Sequence, residues 1–173
     1  MGRALPLVLV DEEHGGGTGA PTPKPGRHLE AVGGRPEDVG EHTIVVLLVE
    51  DDAAMRMLVG YNLEAAGFRV VVATTGREAL DLAASEQPDL VLLDVMLPDV
   101  GGFEVAEQLG ELPVVFLSAR TMPGDFERGR ELGAIDYVAK PFDPVGLPAR
   151  LREDLEELRH TGAGGVWKLR FGE

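Results

Sequence analysis

Ile44-Val45-Val46-Leu47-Leu48-Val49-Glu50-Asp51-Asp52 joins six consecutive aliphatic residues to three carboxylates. A run of that length with no polar interruption reads as a strand buried on both faces. Both faces of a sheet are covered when helices lie on each side of it. The neighbouring segments fit that arrangement. Ala53–Ala66 has apolar residues at helical spacing and stops at Gly67, a residue suited to a helix C-cap. Phe68–Ala73 is a second aliphatic strand.

The alternation continues to near residue 160. Thr75 and Glu78 form a capping-box signature opening a helix through Ser85, which Pro88 breaks. Leu90–Leu93 is the third strand, and Pro98-Asp99-Val100-Gly101-Gly102 turns into a short helix ending near Gly110. Val114–Leu117 is the fourth strand, and a helix over Asp125–Leu132 is closed by Gly133. Tyr137–Ala139 is the fifth strand, and a last amphipathic helix runs to about Arg159. Pro144 suits its first turn, and Pro148 restarts or kinks it. Five strand-then-helix repeats within about a hundred residues predict a single α/β domain. Its expected core is a doubly wound, five-stranded parallel sheet with helices on both faces.

Outside that domain the texture changes. Residues 1–42 contain Gly15-Gly16-Gly17, Pro21-Thr22-Pro23-Lys24-Pro25-Gly26 and Gly33-Gly34-Arg35-Pro36, the composition of a flexible extension. Leu7-Val8-Leu9-Val10-Asp11-Glu12-Glu13 echoes Leu47–Asp52, and is read as chance. Residues 161–173 form a short Gly-rich tail. With 16 Lys and Arg against 30 Asp and Glu, the formal net charge is −14. Such acidity argues against direct nucleic-acid binding, which draws its affinity from Lys and Arg on phosphates, and equally against an anionic membrane surface. The absence of cysteine excludes disulfides, thiolate metal sites and a thiol nucleophile. Leu5–Val10 is too short for a signal core or a span. These features lead us to expect a soluble, cytoplasmic protein.

Open α/β sheets bind ligands beyond the carboxyl ends of their strands. There the first strand delivers Glu50, Asp51 and Asp52, the third Asp94, the fourth Ser118 and the fifth Lys140-Pro141. Converging carboxylates repel one another unless a cation offsets them. Glu50, Asp51 and Asp94 would form an all-oxygen site suited to Mg²⁺. Lys140 adds a positive charge and Ser118 a hydroxyl donor, the positioning and charge neutralisation that phosphoryl transfer requires. The cluster reads as a phosphoaspartate site.

Four segments carry a family resemblance: Leu48-Val49-Glu50-Asp51-Asp52, Leu92-Leu93-Asp94-Val95-Met96-Leu97-Pro98, Phe116-Leu117-Ser118-Ala119-Arg120 and Tyr137-Val138-Ala139-Lys140-Pro141-Phe142. Through them, residues 43–160 resemble the receiver domain of two-component response regulators. The resemblance implies a flavodoxin-like strand order, 2-1-3-4-5. Asp94 would accept a phosphoryl group from a sensor histidine kinase or phosphotransfer protein. Asp51, Asp94 and the backbone carbonyl of Met96 would hold Mg²⁺, with Glu50 assisting through water. Ser118 and Lys140 would contact phosphate oxygens, and Lys140-Pro141 would be a cis peptide. Tyr137 would follow Ser118 and carry the signal to the face of the fourth helix, fifth strand and fifth helix. That face would bind a downstream protein target or a second copy, with Arg150 pairing across the dimer. Met96 and Arg120 flank the site and are expected to tune hydrolysis. Two departures stand out: a short connection from Asp94 to Ser118, which trims the third helix, and Gly101-Gly102 where Asp-Gly is common.

Alternative functions compete on specific residues. Val166-Trp167-Lys168-Leu169-Arg170-Phe171-Gly172-Glu173 resembles the opening strand of a winged-helix effector. That points to a DNA-binding transcriptional regulator whose effector is missing, the tail being a linker remnant. A haloacid-dehalogenase-type hydrolase would carry Asp-x-Asp at its nucleophile, and Asp94-Val95-Met96 lacks the second Asp. No glycine-rich loop follows the first strand, against nucleotide binding. The expectation is a signalling module rather than an enzyme turning over an external substrate.

Overall fold

The computed structural model describes residues 42–161. Strands and helices alternate: β1 (Val45–Val49), α1 (Ala53–Ala65), β2 (Arg69–Ala73), α2 (Gly76–Glu86), β3 (Leu90–Leu93), α3 (Gly102–Leu109), β4 (Val114–Ser118), α4 (Pro123–Glu131), β5 (Asp136–Ala139) and α5 (Leu147–Thr161). All pairings are parallel, in the order β2-β1-β3-β4-β5. This is the doubly wound, flavodoxin-like sheet expected from the sequence. The two flanking extensions lie outside the described residues, apart from His42 and Thr161.

The alternation of side chains across each strand assigns them to two cores. Val46, Leu48, Leu90, Leu92, Val115 and Leu117 face α1 and α5. Leu47, Val49, Val91, Leu93, Val114 and Phe116 face α2, α3 and α4. Burial on both sides explains why these strands read as unbroken aliphatic runs.

Helix ends differ from the sequence reading in small, explicable ways. Asp52 caps α1, its Oδ1 accepting the Met55 N–H at 2.7 Å, and Gly67 comes next with φ +88°. In α2, Thr75 Oγ1 accepts the Glu78 N–H, and the Glu78 carboxylate reaches back to the N–H groups of Thr74 and Thr75. The helix ends on Gln87 in a left-handed conformation, ahead of Pro88. α4 starts at Pro123, earlier than Asp125, because proline is preorganised for a first helical turn. Pro144 precedes α5, and Pro148 is its second residue, where a missing N–H loses no helical bond. α5 extends past Arg159 to Thr161. The third helix is short, as the sequence implied.

Register carries the chemistry to one edge. Val49 pairs with both Ala73 and Leu93, so Glu50 and Asp94 emerge side by side. Ser118 pairs with Ala139, so Lys140 emerges beside Ser118. Gly102 lets α3 start against this edge. A Cβ there would sit 2.6 Å from Val95 Cα and closer still to the Asp94 carbonyl oxygen.

Candidate functional site

β1, β3 and β5 deliver three charged groups to one point. Lys140 Nζ lies 2.7 Å from Glu50 Oε2 and 2.8 Å from Asp94 Oδ2. Glu50 is 1% exposed, Asp94 6%, and the Lys140 side chain 17%. Asp51 is exposed at the rim, yet one oxygen from each of Glu50, Asp51 and Asp94 falls within 4.8 Å of the others. Asp94 Oδ1 accepts the Met96 N–H at 2.9 Å, while the Met96 side chain faces solvent.

The electrostatics derive from this packing. Burial pushes the Glu50 carboxyl above its ordinary range. The Lys140 hydrogen bond works against that shift, and the nearby Asp94 charge adds to it. Burial acts to lower the Lys140 ammonium, but its hydrogen bonds to Asp94 and Glu50 and their charges outweigh it, so Lys140 is held above its ordinary value. Lys140 is therefore charged across the physiological range.

Ser118, at the end of β4, and Tyr137, on β5, are both buried. Ser118 Oγ accepts the Arg120 N–H at 3.1 Å, and the Tyr137 hydroxyl donates to the Arg120 carbonyl at 2.7 Å. Burial raises the Tyr137 phenol, and a hydrogen bond with Ser118 partly offsets the rise. The Lys140–Pro141 peptide is cis.

Arg150 has an acidic partner within the chain that the sequence did not reveal: its Nε and Nη2 bind Asp136 Oδ2 and Oδ1 at 2.6 and 2.9 Å. Asp136 is buried where β5 begins, and a buried carboxylate requires such a partner.

Sequence reasoning also missed two residues. Arg56 Nη1 donates to the carbonyls of Glu50 and Asp51, at 3.0 and 2.6 Å, and so pins the acidic loop from α1. Nothing in its helical position announces that. Asp99 caps α2 from a distant loop, accepting the N–H groups of Gly76 at 2.7 Å and Arg77 at 3.0 Å. Its place in a Pro-Asp turn was a visible signal of capping, but not of which helix it caps.

A parallel sheet in this strand order, with acid, hydroxyl and ammonium groups gathered at its carboxyl edge, defines a flavodoxin-like α/β domain. Similarity to known proteins makes that specific. The family model for the response regulator receiver domain matches residues 46–152, and the chain belongs to that family. It is 43% identical over 111 residues to the alkaline phosphatase synthesis transcriptional regulatory protein PhoP of Bacillus subtilis, covering 62% of this chain and 46% of that protein. It is 44% identical over 118 residues to the transcriptional regulatory protein CreB of Escherichia coli, covering 66% and 52%. The chain thus spans about half the length of these curated relatives. Among solved structures, the chemotaxis protein CheY4 of Vibrio cholerae superposes with a TM-score of 0.60 at 32% identity, covering 64% of this chain and 98% of that one. Receiver domains are signalling domains that interact with histidine kinases or phosphotransfer proteins and generally use Mg²⁺. Among the described residues, no helix is long and apolar enough to cross a membrane.

Proposed function

We propose that this receiver accepts a phosphoryl group on Asp94 from a sensor histidine kinase or phosphotransfer protein in a Mg²⁺-dependent step. Occupancy of Asp94 then alters the α4–β5–α5 face, which binds a downstream protein or a second copy of the chain. The observation that carries this reading is the charge balance at the sheet edge. Three clustered carboxylates and one ammonium leave two negative charges, which one divalent cation balances.

The donor set is all oxygen, as Mg²⁺ prefers. Asp51, Asp94 and the Met96 carbonyl would hold the ion directly, and Glu50 through water. Bound there, it would supply charge neutralisation and polarise phosphoryl oxygens. Asp94 is the nucleophile. One of its oxygens forms the new O–P bond while the P–N bond to the donor histidine breaks, and the imidazole leaves with the electron pair. Lys140, already against Asp94, then bonds a phosphoryl oxygen, and Ser118 bonds another. Tyr137 follows Ser118 and changes the face that partners read. Asp94 is consumed at each transfer until water regenerates it, so this is a switch rather than a turnover enzyme. It works in the cytoplasm, where the kinase carries its phosphohistidine.

Intact-mass spectrometry with Mg²⁺ and acetyl phosphate tests the reading. A phosphoryl adduct of about 80 Da should appear in the wild type, require Mg²⁺, and vanish in Asp94→Asn. Undiminished labelling of Asp94→Asn would refute it.

A second reading is favoured by the relatives, which are named transcriptional regulators and are about twice as long. Here the receiver is the input half of a winged-helix DNA-binding regulator, and Val166–Glu173 begins the output half. An immunoblot of the native protein decides between them: a band about twice the size of this chain supports the regulator.

A further inference from the structure

Arg56 sits near the start of α1, half-buried beside an acidic cluster, yet its guanidinium binds peptide oxygens. Nη1 donates to the carbonyls of Glu50 at 3.0 Å and Asp51 at 2.6 Å. The Glu50 carboxylate takes other partners, Lys140 on Oε2 and the Asp52 N–H on Oε1. Asp51 stands at the exposed rim.

Successive carbonyls of an extended strand point in opposite directions and cannot share one donor. Their convergence on a single nitrogen marks the bend at Asp51, where the chain leaves β1. On either side the backbone is fixed by the sheet and the helix. The Glu50 N–H donates to the Ala73 carbonyl at 3.1 Å, and the Arg56 N–H to the Asp52 carbonyl at 3.0 Å. Between these two anchors Arg56 sets the turn, and with it the direction in which the Asp51 carboxylate leaves the chain.

Oxygen spacing is what separates the hard divalent cations. Mg²⁺ demands near-octahedral oxygens at about 2.0–2.1 Å, whereas Ca²⁺ accepts irregular sets at about 2.3–2.6 Å. A turn free to relax would serve the larger ion as well as the smaller. We propose that Arg56 is a positioning residue that holds the β1–α1 turn in the tight form Mg²⁺ needs, and so makes the site discriminate against Ca²⁺. This rests on the reading of Glu50, Asp51 and Asp94 as a Mg²⁺ site. Arg56 acts through shape rather than charge, because a guanidinium beside a cation site repels Mg²⁺ and Ca²⁺ alike.

Arg56→Met keeps an apolar stem and removes the charge and both hydrogen bonds. Calorimetric titration of the full chain with Mg²⁺, and separately with Ca²⁺, needs no phosphodonor. Mg²⁺ affinity should fall on the order of tenfold, the usual scale for losing a residue that supports a metal ligand. Ca²⁺ affinity should change by less than about threefold, since its coordination tolerates a looser turn. Arg56→Lys keeps the charge and can reach one carbonyl, so it should lose less Mg²⁺ affinity in the same direction. The same comparison applies to it should Arg56→Met not fold. A folded variant whose ratio of the two dissociation constants matches wild type overturns the proposal, whether both affinities rise through lost repulsion or neither moves. A wild type that binds neither ion overturns the Mg²⁺ reading itself, and the role of Arg56 with it, which no result on the variants alone can do.

Discussion

Where α1 and α5 meet the sheet, the buried side chains are almost all aliphatic, with Phe68 at the margin. Where α2, α3 and α4 meet it, four rings enter: Phe103 against Phe116 at 5.1 Å between centroids, Phe116 against Tyr137 at 5.7 Å, and Phe126 against Tyr137 at 4.5 Å. Branched aliphatic chains interlock in few rotamers and make a stiff layer. A stack of large rings hinged on one hydroxyl can rearrange as a unit, because turning one ring changes the packing of the next. Gly129 of α4 leaves room for that stack, since a Cβ there would meet both Phe116 and Tyr137 at 3.2 Å. One face is thus an aliphatic layer and the other a stack of rings.

That contrast can be broken in order of effect. Leu151 on α5 is fully buried in the aliphatic layer, and Leu151→Ala should cost about 2–5 kcal/mol. Urea unfolding measures the loss, while labelling per folded molecule should match wild type. Gly102→Ala strikes where the ring-bearing face meets the site, and its Cβ has backbone to displace. The expected cost is about 1–3 kcal/mol. Because Asp94 must move, calorimetric Mg²⁺ affinity should fall about tenfold, which Leu151→Ala should not cause. Phe126→Leu removes the ring against Tyr137 and should cost about 0.5–1.5 kcal/mol. Its informative readout is the Tyr137 ring resonances, which should broaden or shift, whereas they should be unmoved in Leu151→Ala.

The smallest effect lies at the opposite end of the sheet. Asp89 accepts the Val45 N–H at 2.7 Å and pairs with His42. Burial acts to raise its carboxyl, but these hydrogen bonds outweigh it and hold the pKa below the ordinary 3.8. Its contribution to stability is present above that value and is lost as pH falls through the depressed one. Asp89→Asn should therefore lower the melting temperature modestly at pH 7, with the difference closing as pH falls through the depressed value. A difference that persists in acid would assign the effect to Asn packing rather than to charge.

Much of this was legible in one dimension. The six-residue run Ile44–Val49 announced a central strand, although Ile44 itself precedes β1. Gly67 and Gly133 marked helix ends and do adopt positive φ. Asp94, Ser118 and Lys140 stood out because each ends a strand, and strand ends share an edge. The salt bridges were not legible. Arg150 looked like a charge on an exposed helical face, and only the packing of α5 against β5 turns it onto Asp136. Asp125 looked like an ordinary first-turn acid, because burial of a helix face depends on its neighbours. Arg56 differs from other helical arginines only through the loop that curls over it.

The amino-acid sequence by itself determined the order of strands and helices, the two-sided burial of the sheet and the set of groups at its carboxyl edge. Those properties depend on side-chain periodicity and on caps a few residues away, which are local. The tertiary structure alone decided that Lys140 bridges Glu50 and Asp94, 90 and 46 positions away, and that Arg120 binds Ser118, Tyr137 and Asp125 together. Such pairings depend on strand register and helix docking, which bring distant side chains within hydrogen-bond reach only once the cores on both faces have closed.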